Sequence, residues 1–333
     1  MRAIVTGSSG FIGSNLVKKL IHDNWRVLGI DNHSDYYSED LKLTRNKELS
    51  LLTNFNFEKF DITETAKFTE FVAKFRPDTI FHLAAQPGVR LPLSQLDRYI
   101  NSNLLGFSSV LQVAVAERVP NFLYASSSSV YGNSATIPYS EYEKNLYPSS
   151  FYGATKLSNE ILAKPLIERS NTKARGLRFF TVYGPSGRPD MAYFRIISKL
   201  IGRKKFDLYG DGSVQRDFTY IDDCVEMIYK LNQELSSRQQ GFHDLVNIGG
   251  GHPVSITELI SLCSRFLGSN LAIEKLERDR GDAERTMADP TYLKKLVGSI
   301  PDTRIEQGIE QTIDWACGLP DKKKLELWSD STA

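Results

Sequence analysis

The chain has 333 residues, of which 41% are hydrophobic and 24% charged, so it is long and apolar enough to bury one full α/β domain and a smaller second one. The formal net charge is +1, and the basic run that stands out is the three lysines at residues 322–324 near the end. This charge balance argues against nucleic acid or a membrane surface as the main partner.

The cysteines at positions 224, 263 and 317 are scattered, and no C-x-x-C pair occurs. This usage predicts neither a disulfide framework nor a metal site, and it fits a reducing compartment. Because the first strand starts at residue 3 and no apolar run is long enough to span a bilayer, we expect a cytoplasmic protein with no signal peptide and no membrane segment.

The first predicted elements are a strand at residues 3–5, a glycine-rich turn and a helix at residues 14–21. The turn has the spacing G-x-x-G-x-x-G. Gly7 permits the tight turn, Gly10 lets backbone N–H groups approach a pyrophosphate, and Gly13 lets the helix lie close to the strand. Strand, turn and helix in this order are the context that a dinucleotide-binding fingerprint requires.

A second buried strand, residues 26–32, contains Asp31, which lies 18 positions after Gly13. An acid at this place accepts hydrogen bonds from the adenosine ribose hydroxyls, and its charge repels a 2′-phosphate. Asn32 and His33 follow where an arginine would favour NADP. The pattern therefore predicts NAD, with a simple loop-capping role for Asp31 as the alternative.

The chain then alternates between helical and strand patterns. A polar segment contains a predicted helix at about 39–50, and later apolar runs end in small residues that let a ligand approach. Strands alternating with helices predict the α/β class, with a Rossmann-type, doubly wound parallel sheet and ligands at the carboxyl ends of the strands. The further predicted strands are residues 55–62, 79–85, 121–126 and 245–249.

Tyr152 and Lys156 are four residues apart, which places them on one face of a helix. A lysine one turn from a tyrosine lowers the pKa of the phenol, and a bound nicotinamide cation adds to this effect. Such a tyrosine is a general base near neutral pH. The serines at 126–129 precede this pair within the same predicted half of the chain.

The glycine turn, the serine run before Val130-Tyr131-Gly132 and the Tyr152–Lys156 pair resemble the extended short-chain dehydrogenase/reductase family of NAD-dependent epimerases and dehydratases. Within it, further segments most resemble the UDP-glucuronate 4-epimerases: residues 82–90, 177–185, 187–191 and 216–223.

The resemblance implies that Tyr152 is the acid/base, that Lys156 is its electrostatic partner and a ribose ligand, and that Ser127 contacts the sugar O4. Asn103 would support the cofactor loop. Together with the fingerprint, it implies a cofactor site for NAD built from Gly7, Gly10, Phe11, Ile12, Gly13, Asp31, Asn32, Asp61, Ile62, Leu83, Ala84, Ala85, Asn103, Tyr152 and Lys156.

A UDP-uronate carries three negative charges, so a nearly neutral chain needs locally placed arginines. The middle third supplies Arg178, Arg188, Arg195 and Arg216. The resemblance implies that Arg188 lies near the sugar carboxylate, Arg216 near the diphosphate, and Met191 with Arg195 near the uridine. The expected substrate-binding residues are Gln86, Arg90, Ser127, Ser128, Ser129, Thr181, Arg188, Met191, Arg195, Arg216, Arg278, Arg280 and Asp282.

Ser128 and Ser129 stand where related dehydratases and decarboxylases carry acids, which favours epimerisation. The chain also departs from the family pattern: Asp279 replaces an arginine, Leu91 replaces a tyrosine, and Pro165 should kink or end the helix of Tyr152. That helix often forms the dimer interface in this family, and we expect a homodimer. A 4-epimerase of UDP-N-acetylglucosamine or its uronate remains an alternative, and a UDP-glucuronate decarboxylase is a further one.

The domain organisation follows from where the strand–helix alternation stops. Residues 1–180 are expected to form the NAD-binding Rossmann domain, with a returning segment at about 231–252. Residues 181–230 and 253–320, which are richer in aromatics and arginines, are expected to form a smaller mixed α/β domain that binds the UDP-sugar. Ser255 and Glu258 predict a capping box at the start of one of its helices.

Overall fold

The computed structural model describes residues 1–133, 135–277 and 283–320. Its strands are β1 (Arg2–Thr6), β2 (Arg26–Asp31), β3 (Phe55–Lys59), β4 (Thr79–His82), β5 (Asn121–Ser127), β6 (Lys173–Phe179), β7 (Thr181–Tyr183), β8 (Phe206–Tyr209), β9 (Gln215–Tyr220), β10 (His243–Ile248), β11 (Pro253–Ser255) and β12 (Ile273–Leu276).

The helices alternate with these strands along the first half of the chain. A π-helical turn, Ile100–Gly106, joins the fourth and fifth helices. The α-helices are α1 (Phe11–His22), α2 (Glu39–Leu49), α3 (Thr65–Phe75), α4 (Leu96–Tyr99), α5 (Phe107–Ala116), α6 (Phe151–Ile167), α7 (Ala192–Ile201), α8 (Ile221–Ser236), α9 (Ile256–Leu267), α10 (Thr291–Val297) and α11 (Ile305–Gly318).

Within the described residues, seven strands form one parallel sheet in the order β10-β6-β5-β4-β1-β2-β3. The predicted Rossmann-type, doubly wound α/β fold is therefore confirmed. The strand order reverses between β1 and β4, and the crevice outside the carboxyl ends of the strands at such a point is where ligands bind in open α/β sheets. The predicted strand near residue 245 is β10, which pairs with β6.

The core follows from the alternation of side chains along each strand. Ala3 and Val5 join the hydrophobic cluster on one face of the sheet, while Ile4 joins the cluster on the other face, and all three are fully buried. Alternate residues of a strand point to opposite faces, and helices cover both faces of a parallel sheet. This explains why β1 is an uninterrupted apolar run.

The remaining strands form smaller sheets, β11-β9-β7 and β12-β8. α9 packs against α7 and α11 beside them. The predicted capping box is present, since Ser255 Oγ accepts a hydrogen bond from Glu258 N and the Glu258 carboxylate accepts one from Ser255 N. None of the helices in the described part of the chain is long and apolar enough to cross a membrane.

Pro165 does not end α6 where the sequence suggested. The helix passes this residue and ends at Ile167. A proline removes the hydrogen bond to the carbonyl four residues earlier, and its ring crowds that carbonyl. Because Pro165 is exposed and lies in the last turn of α6, the disturbance is confined to the end of the helix.

His82 predicts a pH dependence of stability. Its Nδ1 shares a 2.8 Å hydrogen bond with Thr6 Oγ1, and burial, aided by the charge of Lys156, lowers its pKa from 6.5 to about 3. As the pH falls below 6.5, the unfolded chain takes up a proton that the folded chain does not. The free energy of unfolding should then fall by up to about 1.4 kcal/mol per pH unit from this residue.

Urea unfolding of the wild type and of His82→Gln at pH 7 and pH 5 measures this contribution. A glutamine side chain does not titrate, so the variant should show a smaller difference in unfolding free energy between the two pH values. His243, whose pKa burial lowers to about 4, supplies part of the slope that remains. Equal slopes in both proteins would contradict the assignment to His82.

Candidate active site

A cavity of about 830 Å³ opens at the carboxyl edge of the parallel sheet. The glycine turn lines one part of it, and side chains at positions 181, 182, 188, 190, 191, 195 and 216 line another. The ends of β1, β2, β4 and β5 all reach this cavity, because parallel strands present their carboxyl ends on one edge. Its size is that of a typical ligand site.

The glycine turn forms a cradle that side chains would fill. Gly7 has a φ of 71°, and a Cβ there would lie 2.7 Å from Ala84 N. A Cβ on Gly13 would lie 2.1 Å from Gly7 O, so only glycine lets α1 approach the turn. α1 begins at Phe11, with its N-terminal N–H groups at the cavity. This geometry fits a dinucleotide pyrophosphate.

The carboxylate of Asp31, beside the glycine turn, is held in place by two backbone N–H groups. Asp31 Oδ2 accepts a hydrogen bond from Ser9 N at 3.0 Å, and Oδ1 accepts one from His33 N at 2.8 Å. Each oxygen keeps a further lone pair for a ribose hydroxyl. Asn32 Nδ2 donates to Asp61 Oδ2 at 2.7 Å, which places both residues at the same end of the cavity.

Lys42 also lines this end, and sequence reasoning missed it. Its Nζ donates to Ser34 Oγ at 2.9 Å and lies 4.4 Å from the centroid of the Tyr37 ring. Burial lowers its pKa to about 8. The available sequence signal was the four-residue spacing of Leu41, Arg45 and Leu49, with Lys42 next to Leu41, which places cations on the apolar face of the predicted helix. The structure buries all four residues.

Tyr152 and Lys156 lie one turn apart on α6 and face the cavity. Ser150 Oγ caps the helix by accepting from Gly153 N at 3.0 Å. The Ser127 hydroxyl, at the end of β5, faces the same cavity and lies close enough to the Tyr152 phenol to lower its pKa. Lys156 Nζ donates to Ala125 O at 2.9 Å and lies 5.8 Å from the centroid of the Tyr152 ring. The structure therefore brings together the three predicted catalytic residues.

The groups that lower the pKa of Tyr152 differ from the prediction, which named Lys156. Burial raises the pKa of Tyr152, and the groups that lower it are the Arg188 guanidinium and the Ser127 hydrogen bond. Burial lowers the pKa of Lys156 to about 8, so this lysine is still cationic at pH 7. Lys156 is not among the groups that lower the pKa of Tyr152, because its ammonium is directed at the Ala125 carbonyl rather than at the phenol oxygen.

Arg188 is held in a fork by Asp190. Its Nε donates to Oδ1 at 3.1 Å, and its Nη2 donates to Oδ2 at 2.5 Å. Although burial opposes ionisation of both groups, the opposite charges raise the pKa of Arg188 and lower that of Asp190, so both stay ionised. Nη1 takes no part in the fork and can meet a further anion.

Most other predicted site residues also line the cavity. Asn103 lies behind it: Oδ1 accepts from Gln86 N at 2.8 Å and Nδ2 donates to Thr155 Oγ1 at 3.1 Å, so it braces the loop after β4. Arg278, Arg280 and Asp282 lie outside the described residues. The cavity-lining residues are Gly7, Gly10, Phe11, Ile12, Gly13, Asp31, Asn32, Asp61, Ile62, Leu83, Ala84, Ala85, Gln86, Arg90, Ser127, Ser128, Ser129, Tyr152, Lys156, Thr181, Arg188, Met191, Arg195 and Arg216.

Arg178 is a correction to the set of arginines expected to meet the substrate. It is 1% exposed, and its Nε and Nη2 donate to the Glu160 carboxylate at 2.9 and 2.8 Å. Ser126 Oγ donates to the same carboxylate at 2.5 Å. The side chain of Arg178 therefore enters the core beneath the site, while the next residue of β6, Phe179, lines the cavity.

The chain is similar to proteins of one family along nearly its whole length. Residues 3–249 match the model of the NAD dependent epimerase/dehydratase family. Protein CapI of Staphylococcus aureus is 36% identical over 328 residues, which cover 95% of this chain and 98% of that protein. The UDP-glucuronate 4-epimerase of Thermodesulfobacterium geofontis is 34% identical over 325 residues, with 97% of each chain covered.

A solved structure with the same fold is that of the UDP-glucuronic acid 4-epimerase from Bacillus cereus in complex with UDP-glucuronic acid and NAD. It superposes with a TM-score of 0.86 at 32% identity, covering 95% of this chain and 98% of that one. The family that the sequence motifs predicted is therefore confirmed, and this chain belongs to the NAD dependent epimerase/dehydratase family.

Proposed function

We propose that the protein is an NAD-dependent 4-epimerase that interconverts UDP-glucuronate and UDP-galacturonate through a 4-keto intermediate. The observation that carries this proposal is the arrangement of Tyr152, Ser127 and Arg188 around one cavity whose other end is the dinucleotide cradle. The relatives named above, including one solved with UDP-glucuronic acid and NAD, support the same reaction and cofactor.

In the first half-reaction, Tyr152 Oη takes the proton from the C4 hydroxyl of the sugar, directly or through Ser127 Oγ. Lys156, whose ammonium donates to Ala125 O one helical turn from the phenol, would bind the nicotinamide ribose. NAD supplies the oxidised nicotinamide that takes the C4 hydride and returns it to the opposite face of the sugar. In the second half-reaction, Tyr152 gives the proton back to O4, so the protein ends in its starting state.

The second determinant of the proposed reaction is how the protein binds the carboxylate of the sugar. Arg188 Nη1 is the nitrogen left over from the Asp190 fork, and a uronate carboxylate there would complete a charge-assisted contact. A 4-keto uronate is a β-keto acid, which readily loses CO₂. We propose that Arg188 and the hydroxyls of Ser128 and Ser129 hold the carboxylate in an orientation in which this loss is slow.

The remaining parts of UDP are assigned to the far end of the cavity. We assign Arg216 to the diphosphate, Met191 and Arg195 to the uridine, and Thr181 and Gln86 to the sugar, because all five line the cavity. Residues 181–230 and 253–320 would then form the UDP-sugar domain beside an NAD domain of residues 1–180 and about 231–252. Arg278, Arg280 and Asp282 remain predicted contacts of the same substrate.

The direct test is incubation of the NAD-loaded protein with UDP-glucuronate, followed by NMR of the products. We expect UDP-galacturonate to form until the two sugars reach equilibrium. UDP-pentose as the main product would instead identify a decarboxylase. Turnover of UDP-N-acetylglucosamine or its uronate, without turnover of UDP-glucuronate, would identify the alternative epimerases.

The proposal also includes the oligomeric state of the protein and its location in the cell. α6 exposes Ile161, Leu162 and Leu166, and the neighbouring π-helical turn exposes Leu105. This apolar face supports the homodimer that the family resemblance implies. The cysteines at 224, 263 and 317 are free thiols, which supports a cytoplasmic location.

Leu162→Glu should convert the dimer to a monomer, because a carboxylate would be buried without a partner in the interface. Sedimentation velocity at micromolar concentration measures this change. Leu51→Glu is the matched control, since Leu51 is 80% exposed on a different surface. A dimer that survives Leu162→Glu would show that this face of α6 is not the interface.

A further inference from the structure

Arg45, on α2, is a buried cation whose donors are all matched by hydroxyl and carbonyl oxygens. Its side chain is 2% exposed. Nε donates to Ser186 Oγ, Nη1 to Ser9 O and Tyr37 Oη, and Nη2 to Ser186 O and Gly187 O, at 2.5 to 3.2 Å. A guanidinium has five N–H donors, so none is left over. Burying a charge in this way is unfavourable unless every donor is matched.

These five bonds join two parts of the site that are far apart in the sequence. Ser9 belongs to the glycine turn, and its N–H donates to Asp31 while its carbonyl accepts from Arg45. Ser186 and Gly187 directly precede Arg188. The guanidinium of Arg45 therefore links the cofactor cradle to the loop that carries the carboxylate-binding arginine.

The loop before Arg188 has a shape that must be held. Ser186 adopts a φ of 57°, which is unfavourable for a residue with a Cβ, and a Cβ on Gly187 would lie 1.7 Å from Tyr193 Oη. Strained backbone of this kind persists only where neighbours over-determine it. Arg45 makes three of its five bonds to Ser186 and Gly187, so it is the neighbour that fixes this turn.

The segment before α2 makes a second contact with the same loop. Tyr36 Oη donates to Asp190 Oδ2 at 3.2 Å, on the carboxylate that forks Arg188. The Arg188 guanidinium carbon lies 5.9 Å from the centroid of the Tyr36 ring. Residues on both sides of Arg188 are thus tied to residues 36–45, and Arg188 itself is held from both ends of its turn.

We propose that Arg45 is a positioning residue for substrate selectivity: it fixes the turn at Ser186 and Gly187 so that Arg188 presents Nη1 to the carboxylate of a uronate. This inference rests on the proposed function, because it needs a substrate with that carboxylate. It separates selectivity for the uronate from binding of the UDP moiety, because Arg45 does not itself line the cavity.

A residue that only stabilises the fold would weaken the binding of all UDP-sugars alike. A positioning residue for Arg188 changes the ratio of two affinities. The ratio compares UDP-glucuronate, which has the carboxylate, with UDP-glucose, which has a hydroxymethyl group in its place. Isothermal titration calorimetry of the NAD-loaded protein with each ligand measures this ratio.

Arg45→Lys keeps the charge but has one nitrogen, which cannot reach Ser9 and Gly187 together. We expect affinity for UDP-glucuronate to fall by about tenfold or more, as for loss of a charge-assisted contact, while affinity for UDP-glucose changes by less than about threefold. Arg175→Lys is the matched control, because Arg175 is equally buried but pairs with Asp244 and Glu234 away from the cavity. Its affinity ratio should equal that of the wild type.

Ser186→Ala provides a second, milder variant should Arg45→Lys not fold. It removes one acceptor of Arg45, and the affinity ratio should shift in the same direction by a smaller factor. Wild-type ratios in every folded variant, or equal losses for both ligands, would overturn the proposal. Failure of the wild type itself to bind UDP-glucuronate would refute the proposed function instead, so the two failures are distinguishable.

Discussion

Tyr152→Phe is expected to lower kcat for UDP-glucuronate by about 10²–10⁴-fold, the usual contribution of a positioned general acid/base. The phenol faces the cavity with Ser127 and lies one helical turn from Lys156, so we expect its hydroxyl to be the group within reach of the sugar O4. The ring would still fill its place against Tyr99, whose centroid lies 6.1 Å away. NAD content and affinity for UDP-glucuronate should therefore change little.

The measurement is the rate of UDP-galacturonate formation at saturating substrate, followed by NMR. Tyr183→Phe is the control, because it removes a buried phenol oxygen that has no hydrogen-bond partner in the described part of the chain and does not line the cavity. We expect this control to keep a rate within about twofold of the wild type. Equal rates in Tyr152→Phe and the wild type would remove Tyr152 from the mechanism.

Arg188→Ala is expected to reduce UDP-galacturonate formation by about 10²-fold or more, since truncating one partner of a desolvated ion pair costs about 2–5 kcal/mol. The product should change as well. When the carboxylate of the 4-keto sugar turns freely, the C5–C6 bond breaks, its electron pair enters the enolate of the ketone, CO₂ leaves, and C5 takes a proton from solvent. Release at this stage gives UDP-4-keto-pentose, and return to C4 of the hydride that NAD would have taken from the sugar gives UDP-pentose, so both should appear in the NMR spectrum.

Asp190 complicates this variant, because its carboxylate would be left unpaired and would repel the uronate. The double variant Arg188→Ala/Asp190→Asn separates the two effects, since it removes both charges of the fork. Arg169→Ala, an exposed arginine at the end of α6, serves as the surface control. Loss of rate without any decarboxylated product would mean that Arg188 binds the sugar but does not protect it.

Much of the cofactor half was predictable from the sequence, because its determinants are local. Gly7 and Gly13 are required by close backbone approaches within one turn, and Asp31 follows from its distance along the chain. Tyr152 and Lys156 were recognised because a spacing of four residues is a direct neighbour on a helix. Local geometry of this kind is encoded in consecutive residues.

The partners of the arginines were not predictable, because they depend on contacts between distant segments. Nothing in a short stretch of sequence shows that Arg178 turns into the core toward Glu160, or that Arg45 reaches Ser186 across 141 positions. The fork between Arg188 and Asp190 joins residues only two apart, but the loop has no periodic structure to suggest it. The fold, rather than residue type, decides which arginines meet a ligand.

The buried pair of Glu160 and Arg178 has a consequence for how an epimerase of this design inverts its sugar. Glu160 belongs to the helix of Tyr152, and its carboxylate binds Ser126 on β5 and Arg178 on β6. The proton-transfer groups are thereby tied to the sheet by buried hydrogen bonds. We therefore expect inversion at C4 to come from rotation about the bonds between pyranose and diphosphate, with the ketone presenting first one face and then the other.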